Sequence, residues 1–165
     1  MRCGPAIPSA SRVLVLLAVL ACGAAGPAPP RGLTERDRAA IRALDTAFVQ
    51  AWLRDDTTAV LGLFHPDAVL LPPGAEPVEG VAGIRAYWWP SDGSHTRITA
   101  FTREIAELDG TPELAWFRGT ATLGWVYRKA GKESAQTSRS ADLVLLKPDA
   151  AGRWRIFRQM WNTRP

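Results

Sequence analysis

The sequence predicts an α+β domain, with helices near its start packed on one face of a strand-rich remainder. Two observations carry that expectation. Between Leu44 and Trp88 lie two amphipathic helical segments, a Pro72-Pro73-Gly74 turn, a second turn at Glu79-Gly80 and a third short helix. Beyond Pro90 the pattern changes to long runs rich in β-formers, separated by turn residues.

The elements follow in order. Thr34-Glu35-Arg36-Asp37 reads as a capping box, in which the Thr34 hydroxyl and the Asp37 carboxylate satisfy the first free amides. Ile41, Leu44, Phe48 and Trp52 then recur with the helical period of about 3.6 residues. Asp55-Asp56 closes that helix and caps the next, whose buried face is Val60, Leu61, Leu63 and Phe64. His65-Pro66 is expected to end it, because the residue before proline is pushed out of the α region. A short strand is expected over residues 68–71 and a third helix over 81–89, stopped by Pro90. Strands are expected over 96–108, 113–128, 135–147 and 153–162. Their connections are Asp109-Gly110-Thr111-Pro112, Ala130-Gly131-Lys132 and Pro148-Asp149-Ala150-Ala151-Gly152. Three hairpin connections in a row predict an antiparallel meander. There is no internal repeat.

The chain's 165 residues and 17.9 kDa amount to one domain, large enough to bury a core. Its start differs from the rest. Arg2 and Arg12 precede the apolar run Val13-Leu14-Val15-Leu16-Leu17-Ala18-Val19-Leu20-Ala21, which leads into Cys22 and Gly23-Ala24-Ala25-Gly26. This reads as a secretory signal, and the run is too short to span a bilayer. Val19-Leu20-Ala21-Cys22 resembles the lipobox of bacterial lipoproteins, which would make Cys22 the acylated residue and membrane anchor. The alternative is ordinary cleavage nearby, after Ala25, giving a secreted or periplasmic protein. The expected organisation is therefore a signal at 1–22, a tether at 23–33 and a domain at 34–163, held in the cell envelope by a lipid anchor.

The other cysteine, Cys3, lies inside that signal, so the expected mature domain has no disulfide, cysteine nucleophile or cysteine metal ligand. The net charge of +4 is scattered. Arg153, Arg155 and Arg158 come nearest to a cluster, but they interleave with Trp154, Ile156 and Phe157 as a solvated strand face would. No concentrated basic stripe points to a nucleic-acid partner.

Several of these residues also carry a resemblance. Ala51-Trp52 before Asp55-Asp56, Phe64-His65-Pro66-Asp67-Ala68, Pro72-Pro73-Gly74 and Glu79-Gly80 before Ile84 and Trp88 make up its first half. Gly152-Arg153-Trp154-Arg155-Ile156 and Met160-Trp161-Asn162 complete it. Together they resemble the SnoaL-like group of the nuclear-transport-factor-2-like superfamily, in particular exported proteins with domain of unknown function 4440. The resemblance covers about residues 34–163. It implies a cone, with three helices on a curved antiparallel sheet, an apolar mouth and, in many relatives, pairing as a homodimer. Enzymes of that superfamily include ketosteroid isomerases, polyketide cyclases, dehydratases and epoxide hydrolases. The isomerases' tyrosine and aspartate would fall near Phe48 and Pro72, which can neither donate the oxyanion hydrogen bond nor take a proton. An isomerase of that type is not expected.

The chemistry-bearing residues are few. His65 beside Asp67 suits a general base held by a carboxylate, and equally a polar turn at a helix end. His95 follows the loop Ser91-Asp92-Gly93-Ser94, either a flap over the mouth or a solvated connection. These are the only two histidines, they sit in different elements, and no metal site is expected. Gly-x-Ser-x-Gly, GxGxxG and GxxxxGK[ST] are all absent, so no cofactor is expected. Asp142, between Ala141 and Leu143-Val144-Leu145-Leu146, is either a buried acid/base candidate or the exposed start of a strand. Arg139 lies three positions away and must face the other side.

Seven tryptophans remain, whose large apolar faces and single N–H donors suit pockets and interfaces alike. Trp88 and Trp154 read as core. Strand alternation and the resemblance place Phe48, Trp52, Trp116, Gln159 and Trp161 around a cavity. Three functions follow: a binding module for a small, largely apolar molecule; an acid/base enzyme using His65, Asp67 or Asp142; or a dimeric accessory domain whose tryptophans serve the interface.

Overall fold

The computed structural model describes Met1 and residues 32–164. The expected signal, the Cys22 lipidation site and most of the tether lie outside the described residues.

Helix α1 (Glu35–Leu53) opens on the capping box: Thr34 Oγ1 accepts from the Asp37 amide at 3.2 Å, and the Asp37 carboxylate accepts from the Thr34 amide at 3.1 Å. Asp37 also accepts from Trp154 Nε1 at 3.2 Å, pinning the helix start to the sheet. The buried stripe is Ile41, Leu44, Asp45, Phe48, Ala51 and Trp52. A carboxylate in that stripe is the first sign of a polar interior. Helix α2 (Thr57–Leu61) is capped by Asp56, which accepts from the Ala59 amide at 2.9 Å. It ends at Gly62, earlier than expected, and His65-Pro66 lie instead in strand β1 (Phe64–Leu71). Strand β2 (Val78–Glu79) and helix α3 (Gly80–Trp88) follow. The four long strands are β3 (His95–Thr111), β4 (Leu114–Lys129), β5 (Lys132–Pro148) and β6 (Trp154–Arg164).

The sheet has six strands in the order β2-β1-β6-β5-β4-β3. β3 to β6 form the expected antiparallel meander. β1 joins it parallel to β6, a pairing that hairpin signals cannot announce because the partners are far apart in sequence. Arg155 Nη1 donates to Gly62 O and the Ile156 amide to Leu63 O, which fixes the chain entering β1 against β6.

Register shifts decide which side chains face the helices. β3 slips between Ile98 and Ala100 and again between Ile105 and Glu107. β6 slips where Leu145 and Leu146 pair with Arg158 and Ile156, leaving Phe157 as the extra residue. Such a bulge bends a strand and reverses its alternation. Trp154 and Ile156 before the bulge are therefore buried, and so is Gln159 after it. The core between helices and sheet includes Ile41, Phe48, Val60, Leu70, Ile84, Phe117, Val144, Leu146 and Ile156, each at most 2% exposed.

Candidate functional site: an aromatic cavity with a buried charged cluster

Between the sheet and the helices lies a solvent-open cavity of about 490 Å³. Phe48 and Trp52 reach it from α1, and Tyr87 and Trp88 from α3. β3 contributes Thr96, Ile98, Phe101 and Arg103, and β4 contributes Ala121, Leu123 and Trp125. Ser138, Ser140 and Asp142 line it from β5, and Gln159 and Trp161 from β6.

The apolar wall is a contiguous aromatic assembly. Trp52 meets Trp88 edge to face at 5.1 Å and stacks on Trp89 at 4.8 Å. Phe48 lies at 6.0–6.5 Å from Trp52, Phe64, Trp88 and Phe101. These are offset and T-shaped geometries that aromatic quadrupoles favour. Trp88, expected to be core packing, packs on the core and lines the cavity as well.

The polar end is a charged cluster. Arg103, with a side chain only 3% exposed, donates from Nη1 to Asp45 Oδ1 at 2.7 Å. Its Nε lies 3.1 Å from Asp142 Oδ2, an ion-pair distance without the alignment of a hydrogen bond. Asp142 also accepts from the Ser140 hydroxyl at 2.6 Å. The guanidinium carbon sits 5.0, 5.3 and 5.9 Å from the ring centres of Phe48, Phe101 and Phe117, within cation–π range. The strand register explains how it fits. Arg103 pairs with Ala121, which pairs with Ser140, and Gly119 pairs with Asp142. Ala121, the small residue between Arg103 and Ser140, thus leaves room for the long side chain to cross β4 toward Asp142. Gln159 is 5% exposed, and its Oε1 has no hydrogen-bond partner.

The expected site residues divide accordingly. Phe48, Trp52, Gln159, Trp161 and Asp142 come together at the cavity. Trp116 does not: its neighbours Ala115 and Phe117 are buried, so the two-residue period of β4 turns it to the outer face, paired with Leu145. His65 and Asp67 also lie away from the cavity lining. His65 Nδ1 accepts from the Asp67 amide at 3.2 Å, and its ring meets Phe157 edge-on at 5.5 Å. The pair therefore forms a local contact within β1 and does not line the cavity. His95 opens β3 and lies 3.1 Å from Asp55 Oδ2. The preceding loop is tied down rather than free, because Asp92 accepts from Lys129 Nζ at 2.6 Å and from Ser94. The Lys129 and Ser94 hydrogen bonds hold the Asp92 carboxyl well below the usual carboxylate range. Among the described residues no group of three His, Cys, Asp or Glu could hold a metal ion.

Sequence reasoning missed Arg103 and Asp45. The signal for Asp45 was present, since it sits on the helical stripe between Leu44 and Phe48. Arg103 alternates with Phe101 and Ile105, but only the bulges on either side show that this face turns inward.

A model of the SnoaL-like domain matches residues 46–156, which include Arg103 and Asp142 of the cavity but neither Asp45 nor Gln159. The chain belongs to the SnoaL-like domain family. Solved structures similar to this SnoaL-like domain include a ketosteroid isomerase-like protein from Erwinia carotovora atroseptica SCRI1043. That structure is 22% identical with a TM-score of 0.66, over 80% of this chain and 99% of that one. A conserved protein from Planctomyces limnophilus DSM 3776 is 17% identical with a TM-score of 0.62, over 79% and 100%. A nuclear transport factor 2-like superfamily protein from Salmonella enterica serovar Typhimurium LT2 is 14% identical with a TM-score of 0.59, over 78% and 91%. At these identities the likeness is one of fold, and it places the SnoaL-like domain on the nuclear-transport-factor-2-like architecture. No curated protein matches the chain.

Proposed function

We propose that this SnoaL-like domain binds a small, largely apolar molecule in the cavity, with the molecule's polar end toward Asp142 and Gln159. The observation that carries the reading is a 490 Å³ space walled by aromatic side chains and floored by a few polar ones. That composition is typical of small-molecule sites, where apolar walls supply affinity and a few polar groups fix orientation. SnoaL-like domains commonly bind small ligands, which supports the same reading. Export as a lipid-anchored protein through Cys22 is part of the proposal and rests on the lipobox-like sequence alone.

The test is titration with N-phenyl-1-naphthylamine, neutral at pH 7 and fluorescent in apolar surroundings. One equivalent should bind, and Leu123→Trp, which fills the cavity from β4, should abolish the signal while the protein stays folded. Equal binding by that variant, or no binding by the parent, overturns the reading. Native mass spectrometry of protein purified from its own host would add the identity of any co-purifying molecule.

A second reading, an acid/base enzyme, draws support from Asp142, a buried carboxylate at the cavity that is oriented by Ser140. It requires Asp142→Asn to remove turnover of a substrate while dye affinity persists.

A further inference from the structure

We infer that the cavity selects molecules whose polar end is a protonated primary or secondary amine, held between Asp142 and Gln159. This rests on the cavity being a ligand site, and it names the chemistry of the ligand.

The buried cluster sets two carboxylates, Asp45 and Asp142, against one guanidinium, Arg103. The aligned hydrogen bond goes to Asp45, which is not part of the cavity lining. Asp142 lines the cavity and receives the Ser140 hydroxyl and an Nε that is close but misaligned. A buried carboxylate is costly until a counter-charge with good geometry meets it. The cluster sets two carboxylates against one guanidinium, and Asp142 shares the cavity lining with Arg103, whose Nε has no aligned partner.

Gln159 points to the same chemistry independently. Its buried Oε1 is an acceptor with no donor, a state that protein interiors avoid unless a ligand or water completes it. In the pairing of β5 with β6, Asp142 lies opposite Trp161 and Val144 opposite Gln159. Asp142 and Gln159 are therefore diagonal neighbours on one face, a spacing of roughly 7 Å at the backbone that two side chains can close on a single nitrogen. Asp142 presents carboxylate oxygens, and Gln159 brings the unpaired Oε1 of an amide that also carries N–H donors. An ammonium nitrogen offers two or three N–H donors and a positive charge to Asp142 together, whereas an alcohol offers one donor and no charge. The π-faces of Trp161, Trp52 and Trp125 around it suit both a cation and an apolar tail.

The test is isothermal titration of the full chain at pH 7 with four compounds sharing one ring system: 2-(1-naphthyl)ethylamine, its N,N,N-trimethyl derivative, 2-(1-naphthyl)ethanol and 1-naphthylacetate. The amine should bind at least tenfold more tightly than the alcohol and more tightly than the trimethyl compound, which has charge but no donor. The acetate should bind most weakly. Asp142→Asn should erase the advantage of amine over alcohol, with the alcohol still bound. Gln159→Leu, which leaves the charged cluster intact, should bring the amine down to the level of the trimethyl compound. Equal affinity of amine and alcohol, or tightest binding by the acetate, overturns the amine inference and leaves the ligand site standing. No binding by any member, together with no dye uptake, overturns both.

Discussion

Replacing Arg103 with methionine isolates what holds the polar end of the cavity together. Methionine keeps much of the apolar stem but removes the charge, leaving Asp45 and Asp142 facing each other's neighbourhood without a cation. Their side chains are 10% and 3% exposed, so water cannot restore what the guanidinium supplied. Removing one member of a buried ion pair costs about 3–5 kcal/mol, chiefly the cost of the stranded partner. The three phenylalanine faces around the guanidinium lose cation–π contacts worth about 0.5–2 kcal/mol each, which overlap with the ion-pair loss and do not simply add. A loss of about 4 kcal/mol is therefore expected, a large share of the roughly 5–15 kcal/mol that stabilises a typical domain. Urea unfolding followed by tryptophan fluorescence, with circular dichroism as a second probe, would measure it. Adding Asp45→Asn and Asp142→Asn to Arg103→Met should recover about 2 kcal/mol or more, because the stranded charges are then gone. The reasoning fails if Arg103→Met loses less than about 1 kcal/mol, or if the triple variant is no more stable than the single one.

Two further outcomes test the frame around the site. At Gly119 an added Cβ would lie 2.1 Å from Glu104 O and 3.3 Å from Ile105 Cα, both backbone atoms. Gly119→Ala should thus force β3 and β4 apart and cost about 2 kcal/mol or more by chemical denaturation, and a change under about 0.5 kcal/mol would contradict the close approach. Asp149 organises the turn into β6: its carboxyl accepts from the Arg153 amide at 3.0 Å, from Arg155 Nε at 2.9 Å and from Arg153 Nε at 3.1 Å. The Arg153 amide first, then the two guanidinium groups, hold its pKa well below the usual carboxylate range. A depressed folded-state pKa means stabilisation that is complete above the unfolded value of about 3.9 and is lost as pH falls through the folded value. The stability gap between the parent and Asp149→Asn should accordingly hold steady from pH 7 to about 5 and shrink below about 4. A gap that stays constant down to about pH 2.5 would remove Asp149 from this role.

Local periodicity carried most of the architecture. The capping box at Thr34, the Asp56 cap, the apolar stripe from Ile41 to Trp52 and the three hairpin turns all arise from contacts within a few residues. That is why they were legible. Helix α2 was overextended because the proline signal at His65-Pro66 was read as a helix end, while Gly62 had already ended the helix and the proline entered an edge-proximal strand.

The cavity divides along the same line. Strand alternation together with the family resemblance named Phe48, Trp52, Gln159 and Trp161 as wall candidates, and the sequence around Asp142 marked it as a carboxylate that was either buried or exposed. A two-residue period has no absolute phase, so Trp116 was assigned to the wrong face of its strand. Only the assembled sheet sets that phase, through bulges at Phe157 and in β3 that turn Gln159 and Arg103 inward. The sequence determined that this is an α+β domain with an aromatic-rich interior, because helix and strand periods are short-range properties. The tertiary structure decided that Arg103 from β3, Asp45 from α1 and Asp142 from β5 meet at one end of a cavity, because a charge cluster between residues 39 to 97 positions apart exists only once register and curvature bring them within hydrogen-bonding distance.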